Sequence, residues 1–109
     1  MRGQPKMLAD ISPAFAAELT TLLLSSEEPD LAGQVAHLKV LSRCHCGDSF
    51  CSTFYTAVPP DGSYGPKHRN VVLDPAVGMI VLDVVDQKIM CVEVLYNGKF
   101  REELHVIIR

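Results

Sequence analysis

The first hydrophobic pattern along the chain is a stripe at helical spacing near the N-terminus. Ser12 is a good N-cap, Pro13 suits the first helical position, and residues 14–24 are mostly strong helix formers. We therefore predict a helical region over residues 7–28, preceded by a loose tail over residues 1–6. One face of this helix is expected to be apolar and to consist of Ile11, Phe15, Leu19, Leu22 and Leu23.

Beyond Gly33 the apolar positions recur at every second residue. Between residues 35 and 46 the even positions are apolar except for Ser42, and most odd positions are polar or charged, which predicts a half-buried strand. Residues 50–58 are rich in threonine and aromatic side chains, and we predict that they form the second strand of a hairpin. The residues between them, 47–49, are Gly, Asp and Ser, which are typical of turns.

A long loop and three further strands are predicted in the second half of the chain. The segment PPDGSYGP, residues 59–66, has the composition of a loop. A tight turn is expected at Asp86 and Gln87, and the segment MIVLDVV before it is apolar on both faces except for Asp83. We therefore expect that strand to lie inside the sheet. The strands are predicted over residues 71–74, 78–85 and 88–96.

The last segment, residues 97–109, has two interpretations. As a strand it alternates apolar with polar positions after Asn97-Gly98, which is a strong hairpin signal, and it ends in a β-branched run. As a helix it would collect its large apolar residues on one face: Phe100, Leu104, Ile107 and Ile108. We predict the strand for residues 99–109. That register places Glu93 opposite Glu102, which is either a pair of catalytic carboxylates or a sign that the register is wrong.

These elements together predict an α+β fold. We expect one domain over residues 1–109, with an N-terminal helix packed on one face of a mainly antiparallel sheet of about five or six strands. The sheet region would span residues 35–109.

Composition and charge exclude several functions. The chain has 109 residues and a net charge of -3, whereas a nucleic-acid-binding protein usually carries a basic stripe. The N-terminal residues contain neither a secretion signal nor a run of apolar residues long enough to span a membrane. We therefore expect a cytoplasmic protein with reduced thiols, no membrane contact and no nucleic-acid partner.

Three of the four cysteines lie in the predicted hairpin turn, at Cys44, Cys46 and Cys51. With a four-residue loop, Cys46 would face Cys51 and Cys44 would face Thr53, so that all three sulfurs lie on one side of the sheet. Thiolates are zinc ligands, and this cluster would supply three of the four that a tetrahedral site requires. Zinc is therefore the one cofactor that the sequence suggests.

The fourth zinc ligand would have to come from outside the turn, and the three cysteines also have an interpretation without a metal. Cys91 or His68 would complete the site, whereas His45 would point to the other face. The spacing Cys-x-Cys-x4-Cys is not a standard zinc pattern. The same alternation places the cysteines on an apolar face, where free cysteines pack as small buried hydrophobic residues. Buried thiols are therefore the preferred interpretation, followed by a metal site and then by a thiol or disulfide role. The apolar face is that of Ala36, Leu38 and Val40.

Catalytic residues are not predicted. Cys44, His45 and Asp48 have the residue types of a cysteine-nucleophile site, but adjacent residues of a strand point to opposite faces. No phosphate-binding glycine loop and no Gly-x-Ser-x-Gly motif occurs. A partner-binding surface is predicted at the end of the long loop instead, and it consists of Tyr64, Lys67, His68 and Arg69.

Two segments resemble parts of small bacterial proteins that have no assigned function. Residues 77–95 resemble a hairpin with the pattern Gly-Ile-x-Leu-Asp followed by Val-x-x-Ile-Glu-Ile-Leu, although the turn glycine of that pattern is absent. Residues 44–51 resemble turns with the pattern Cys-x-Cys-Gly-x-x-x-Cys. The resemblance implies a bacterial source and no particular activity. The residues closest to the hairpin pattern are Gly78, Leu82, Asp83, Val92, Glu93, Val94 and Leu95.

The sequence therefore favours a small non-enzymatic protein that acts by protein–protein contact, as an accessory, regulatory or toxin-neutralising protein. Its partner would be another protein, and an exposed apolar strand would also favour a homodimer. The alternative is a small zinc-binding module built on the cysteine turn.

Overall fold

The computed structural model describes residues 6–109, which form a layer of helices on an antiparallel sheet. This arrangement confirms the predicted α+β class. The expected loose tail lies outside the described residues except for Lys6, which pairs with Val40. In chain order the elements are β1 (Lys6–Met7), α1 (Leu8–Ile11), α2 (Pro13–Ser25), α3 (Pro29–Ala32), a 3-10 turn (Val35–His37), β2 (Lys39–Val40), β3 (Ser42–Arg43), β4 (Phe54–Tyr55), β5 (His68–Leu73), β6 (Met79–Val85), β7 (Lys88–Leu95) and α4 (Gly98–Ile107).

The boundary between the first two helices lies at a residue that favours a helix cap. Ser12 separates α1 from α2, and its Oγ accepts a hydrogen bond from the backbone N–H of Phe15 at 3.1 Å. Pro13 occupies the first turn of α2, where a missing N–H has no cost. The predicted apolar face is confirmed, because Ile11, Phe15, Leu19 and Leu23 are buried and Leu22 is half-buried.

The main sheet has five strands in the order β3-β4-β7-β6-β5, and neighbouring strands are antiparallel. As predicted, β6 lies inside the sheet, between β5 and β7. The turn between β6 and β7 is the expected two-residue turn, and both Asp86 and Gln87 have positive φ angles (51° and 63°). That backbone conformation matches the twist of a tight hairpin.

A β-bulge interrupts the pairing of β6 with β7. Val84 pairs with Ile89, but Asp83 pairs with Cys91, so Met90 is an extra residue in β7. Directly opposed residues share a face of the sheet. The bulge therefore places Cys91 on the same face as Asp83.

The strand predicted over residues 35–46 is wrong in its first part. Residues 35–37 form a 3-10 turn, and the rest is split into β2, which pairs with β1 in a separate two-stranded sheet, and β3, which joins the main sheet. The partner strand predicted over residues 50–58 is shorter than expected. It is confined to Phe54–Tyr55 and to an isolated bridge between Cys51 and Leu95. The chain changes sheets at Leu41, so the alternation of faces is not continuous from Val40 to the cysteines.

The strand predicted for residues 99–109 is also wrong, because residues 98–107 form helix α4. The side chain of Asn97 caps this helix, since its Oδ1 accepts a hydrogen bond from the backbone N–H of Phe100 at 3.1 Å. The helical face buries Phe100 and Leu104. Glu102 is exposed on α4, so the expected pairing with Glu93 does not form.

Three phenylalanines join the helices to the sheet in the core. Phe15 of α2 stacks on Phe100 of α4, with ring centroids 4.0 Å apart, and Phe54 of β4 lies 5.7 Å from Phe100. All three side chains are buried. Because these residues come from α2 near the N-terminus, from the sheet and from the last helix, the cluster joins both ends of the described chain.

The two faces of the sheet differ in character. The face toward the helices carries buried aliphatic residues such as Leu82, Val84 and Val92. The opposite face, called the open face below, carries the residues that alternate with them. These include Asn70, Asp83, Cys91, Glu93, Tyr55 and Thr53.

Candidate functional site

The cysteine turn lies between β3 and β4, at one end of the open face. The backbone N–H of Cys44 donates to the carbonyl of Thr53 at 2.9 Å, which is the pairing expected for a hairpin that sets Cys46 opposite Cys51. The N–H of Cys51 donates to the carbonyl of Asp48 at 3.2 Å and closes the turn. The sulfur atoms of Cys44, Cys46 and Cys51 lie within 4.8 Å of one another. The predicted convergence of the three sulfurs is therefore confirmed.

The three thiols do not lie on the core face. Cys51 is buried, but Cys44 is only partly buried and Cys46 is exposed. The prediction that all three pack against the face of Ala36, Leu38 and Val40 is wrong. The physical reason is the change of sheet at Leu41, which separates the face of Val40 from that of Cys44. As predicted, His45 points away from the cluster, and its Nε2 lies 3.1 Å from the carbonyl oxygen of Arg109.

The thiols of the cluster differ in acidity. Burial raises the pKa of Cys51, but hydrogen bonds from the hydroxyl and N–H of Thr53 and from the two neighbouring thiols outweigh it and leave this pKa below its usual value. At Cys46 the backbone N–H of Asp48 lowers the pKa, while hydrogen bonding with Cys44, burial and the nearby Cys51 raise it, to about 11 overall. Cys51 is therefore a stronger acid than Cys46.

Helix α4 supports the cysteine turn from the other side of the sheet. The Nε of Arg43 donates to the carbonyl of Ile108 at 2.8 Å, and the Nε of Arg101 donates to the carbonyl of Cys51 at 3.3 Å. The two bonds join the turn to α4 and to its C-cap residue, a segment predicted as a strand from its sequence. The position of the cysteines therefore depends on α4.

An open cleft of about 480 Å³ adjoins the cysteine turn on the open face. Cys44 and Cys51 form part of one end, and the long loop contributes Pro59, Pro60 and Tyr64. The strands supply Tyr55 and a pair of carboxyl groups, Asp83 and Glu93. The cleft is thus bordered by two of the three cysteines, two tyrosine rings and two acidic side chains.

The Asp83 carboxyl affects the acidity of Glu93 in the cleft. Burial raises the pKa of Glu93, and the hydrogen bond with Asp83 and its charge raise it further. Asp83 is buried, and its Oδ1 accepts a hydrogen bond from Asn70 Nδ2 at 2.7 Å and lies 2.8 Å from His68 Nε2. Glu93 is therefore a weaker acid than an exposed glutamate.

Cys91 and His68, the two predicted fourth ligands, are not part of the cysteine cluster. Neither brings a ligand atom into the group of three sulfurs that lie within 4.8 Å. Cys91 is buried beside Asp83, and burial together with the nearby charges of Asp83 and Glu93 raises the pKa of its thiol. A neutral thiol in this position is a weak ligand.

The residues predicted to bind a partner have contacts within the protein. The ring of Tyr64 lies 4.8 Å from that of His68, and Lys67 Nζ lies 3.8 Å from a carboxylate oxygen of Asp86. The guanidinium group of Arg69 donates two hydrogen bonds to Glu28, at 2.8 and 2.9 Å. These contacts hold the end of the loop against β5 and the turn between β6 and β7, and they join Arg69 to the residue before α3. The partner-binding role of the four residues stays a prediction.

The pair of Asp83 and Glu93 was not predicted from the sequence. An uninterrupted two-residue hairpin would pair Asp83 with Met90 and place Glu93 on the opposite face. The bulge at Met90 reverses this parity. The available signal was Asp83 itself, an acidic residue within an otherwise apolar central strand.

Comparison of the chain with protein-family models, curated proteins and solved structures gives no match. The bacterial source implied by the two resembling segments stays a prediction. Among residues 6–109, no helix combines the length and the apolar character needed to cross a membrane.

Proposed function

We propose that this protein is a binding module whose cysteine turn holds a thiophilic metal ion, with zinc as the favoured ion. The observation that supports the proposal is the convergence of the Cys44, Cys46 and Cys51 sulfurs within 4.8 Å at an accessible end of the open face. Zinc–sulfur bonds of about 2.3 Å in a tetrahedron place the sulfurs about 3.8 Å apart. Shifts of about 1 Å or less would bring the three thiols to that geometry.

The chemistry of the donors favours zinc over harder ions. Thiolates are soft ligands that select zinc and copper(I), whereas calcium and magnesium prefer oxygen. In a reducing cytoplasm the thiols stay available as ligands. The Thr53 and Asp48 backbone groups around the cluster provide hydrogen bonds that orient and stabilise thiolates.

Metal content and substitution of each thiol test the proposal. Protein purified without chelator is expected to carry zinc near one ion per chain by elemental analysis. Cys44→Ser, Cys46→Ser and Cys51→Ser should each lose the metal and lower the melting temperature, because metal affinity and folding are coupled. Cys91→Ala is the matched control, since it changes a thiol outside the cluster and should retain the zinc. Zinc-free protein whose stability is unchanged by added zinc would refute the proposal.

Protein–protein contact is a second candidate function, and the exposed edge of β5 favours it. The strand has six residues, lies at one edge of the main sheet, and carries Val72 with its side chain 71% exposed. An edge strand offers unpaired backbone groups that can pair with a strand of another chain. A second copy of this chain, pairing β5 with β5, is the simplest such partner.

A further inference from the structure

We propose that the metal's fourth coordination position opens into the cleft and takes a small neutral nitrogen donor of the imidazole class. This inference rests on the proposed function and deepens it by naming the ligand class. Structural zinc sites are closed by four protein ligands, whereas sites with three protein ligands keep an exchangeable position that water or a ligand occupies.

The first argument is the number of protein ligands. In the part of the chain that the structure describes, the group of converging ligand atoms contains three sulfurs and no fourth member. His45 is directed to the opposite side of the sheet, toward the carbonyl of Arg109. Cys91 lines the same cleft beside Asp83, but its sulfur does not belong to the converging group. The cluster therefore supplies three ligands.

The second argument is the position of the cleft. Cys44 and Cys51 are two of the three donors, and both line the cleft of about 480 Å³. A cavity of this volume lies within the range of small-molecule sites. A metal held by the cluster would border this space, and a molecule in the cleft would reach it.

The third argument is charge. A divalent ion with three thiolates carries one net negative charge, and Asp83 lies in the same cleft. A further anionic ligand would add negative charge to a negative site, which costs energy where water is partly excluded. A neutral nitrogen donor avoids this cost. Its N–H group could in addition donate a hydrogen bond to the carboxyl pair of Asp83 and Glu93.

The fourth argument is the shape of the walls. Tyr55 and Tyr64 supply aromatic faces, and Pro59 and Pro60 supply apolar surface. A flat heteroaromatic ring can stack on a tyrosine and gain affinity from that contact. Imidazole combines this flat shape with a neutral donor nitrogen, so it is the probe for the site.

The test uses the full chain loaded with cobalt(II), which replaces zinc and has visible d–d absorption bands that report on its ligands. Titration with imidazole should shift these bands saturably. Azide, an anion of similar size, should shift them at much higher concentration or not at all. Tyr64→Ala should raise the half-saturating imidazole concentration about two- to tenfold, as loss of one stacking contact implies.

Two controls separate the possible outcomes. Val58 lies in the same loop as Tyr64, is exposed and does not line the cleft. Val58→Ala should therefore leave the imidazole titration unchanged. Cys91→Ala should leave the cobalt spectrum unchanged before imidazole is added. A spectrum altered by Cys91→Ala would reveal a fourth protein thiolate and overturn the open position.

The remaining outcomes are also decisive. Cobalt bound by the three cysteines with a spectrum that imidazole does not change overturns this inference and leaves the proposed metal site intact. Equal imidazole affinity in the wild type and Tyr64→Ala overturns the assignment of the cleft as the ligand's binding space. A protein that binds no cobalt overturns both the metal site and the open position.

Discussion

The aromatic cluster in the core makes a quantitative prediction about Phe100. This side chain is 1% exposed, and it contacts both Phe15 and Phe54. Its replacement by alanine removes a buried ring and leaves a cavity between α4 and the sheet. Such substitutions cost about 3–5 kcal/mol of unfolding free energy, which is a large fraction of the about 5–15 kcal/mol that stabilises a typical domain.

A milder substitution separates the aromatic contribution from the volume. Phe100→Leu keeps most of the apolar bulk and loses two ring contacts, each of which contributes about 0.5–1.5 kcal/mol. We therefore expect a loss of about 1–3 kcal/mol for Phe100→Leu. The matched control is Val106→Ala, on the same helix, because the Val106 side chain is 70% exposed. A surface substitution of this kind should change the stability by about 0.5 kcal/mol or less.

Urea unfolding followed by far-UV circular dichroism measures all three variants. The midpoint should fall in the order Val106→Ala, Phe100→Leu, Phe100→Ala, with an unchanged slope, because a constant slope shows that the surface exposed on unfolding is the same. A loss for Phe100→Ala as small as that of Val106→Ala would mean that α4 is not packed on α2 and β4. That result would refute both the helical assignment of the C-terminal segment and the argument that α4 supports the cysteine turn.

Two further predictions concern the open face and the sheet edge. Burial and the neighbouring Asp83 carboxyl raise the pKa of Glu93 in the folded state above its ordinary value of 4.5. The protonated side chain therefore contributes to stability below pH 4.5. This contribution is lost as the pH rises through the folded-state pKa. Glu93→Gln should therefore stabilise the protein at pH 7 and lose this advantage near pH 4, in urea unfolding at both pH values; an equal effect at the two pH values would contradict the assignment. For the edge of β5, Val72→Lys should abolish self-association in size-exclusion chromatography over a range of concentrations, whereas Val106→Lys should not. Indistinguishable elution of the wild type and both variants would argue against pairing of β5.

The strongly periodic segments were predicted well from the sequence. In α2, a capping serine, a proline in the first turn and a helical stripe all indicate the same element, so no tertiary contact is needed to choose between alternatives. In β6 and β7, long apolar runs flank a short polar turn at Asp86 and Gln87, and this pattern has few other interpretations.

The strand prediction for the C-terminal segment was wrong because the first residues of the segment favour two different structures. Asn97-Gly98 is a strong hairpin signal, but asparagine is also a favoured N-cap, and the side chain of Asn97 has that second role. The choice depends on burial, since the helix places Phe100 against Phe15, a residue far away in the sequence. Local pattern alone does not contain that contact.

The candidate site was predicted in part. The convergence of three sulfurs followed from hairpin parity, because the register across the cysteine turn involves nearby residues only. The face on which they lie did not follow, since the chain changes sheets at Leu41. The cleft and its carboxyl pair depend on one extra residue, Met90. This bulge moves each later residue of β7 to the face of the sheet opposite to the one that a regular hairpin predicts.

The two faces of the main sheet give the protein separable sets of mutable positions. In β6 and β7, the residues that pack on the helices alternate with those of the open face, except at the bulge. Substitutions at cleft positions such as Tyr55 or Glu93 therefore leave the aromatic cluster and the helix layer in place. A lineage or a designed library can thus vary the chemistry of the open face by exchanging every second residue on a few strands, while the alternate residues preserve the fold.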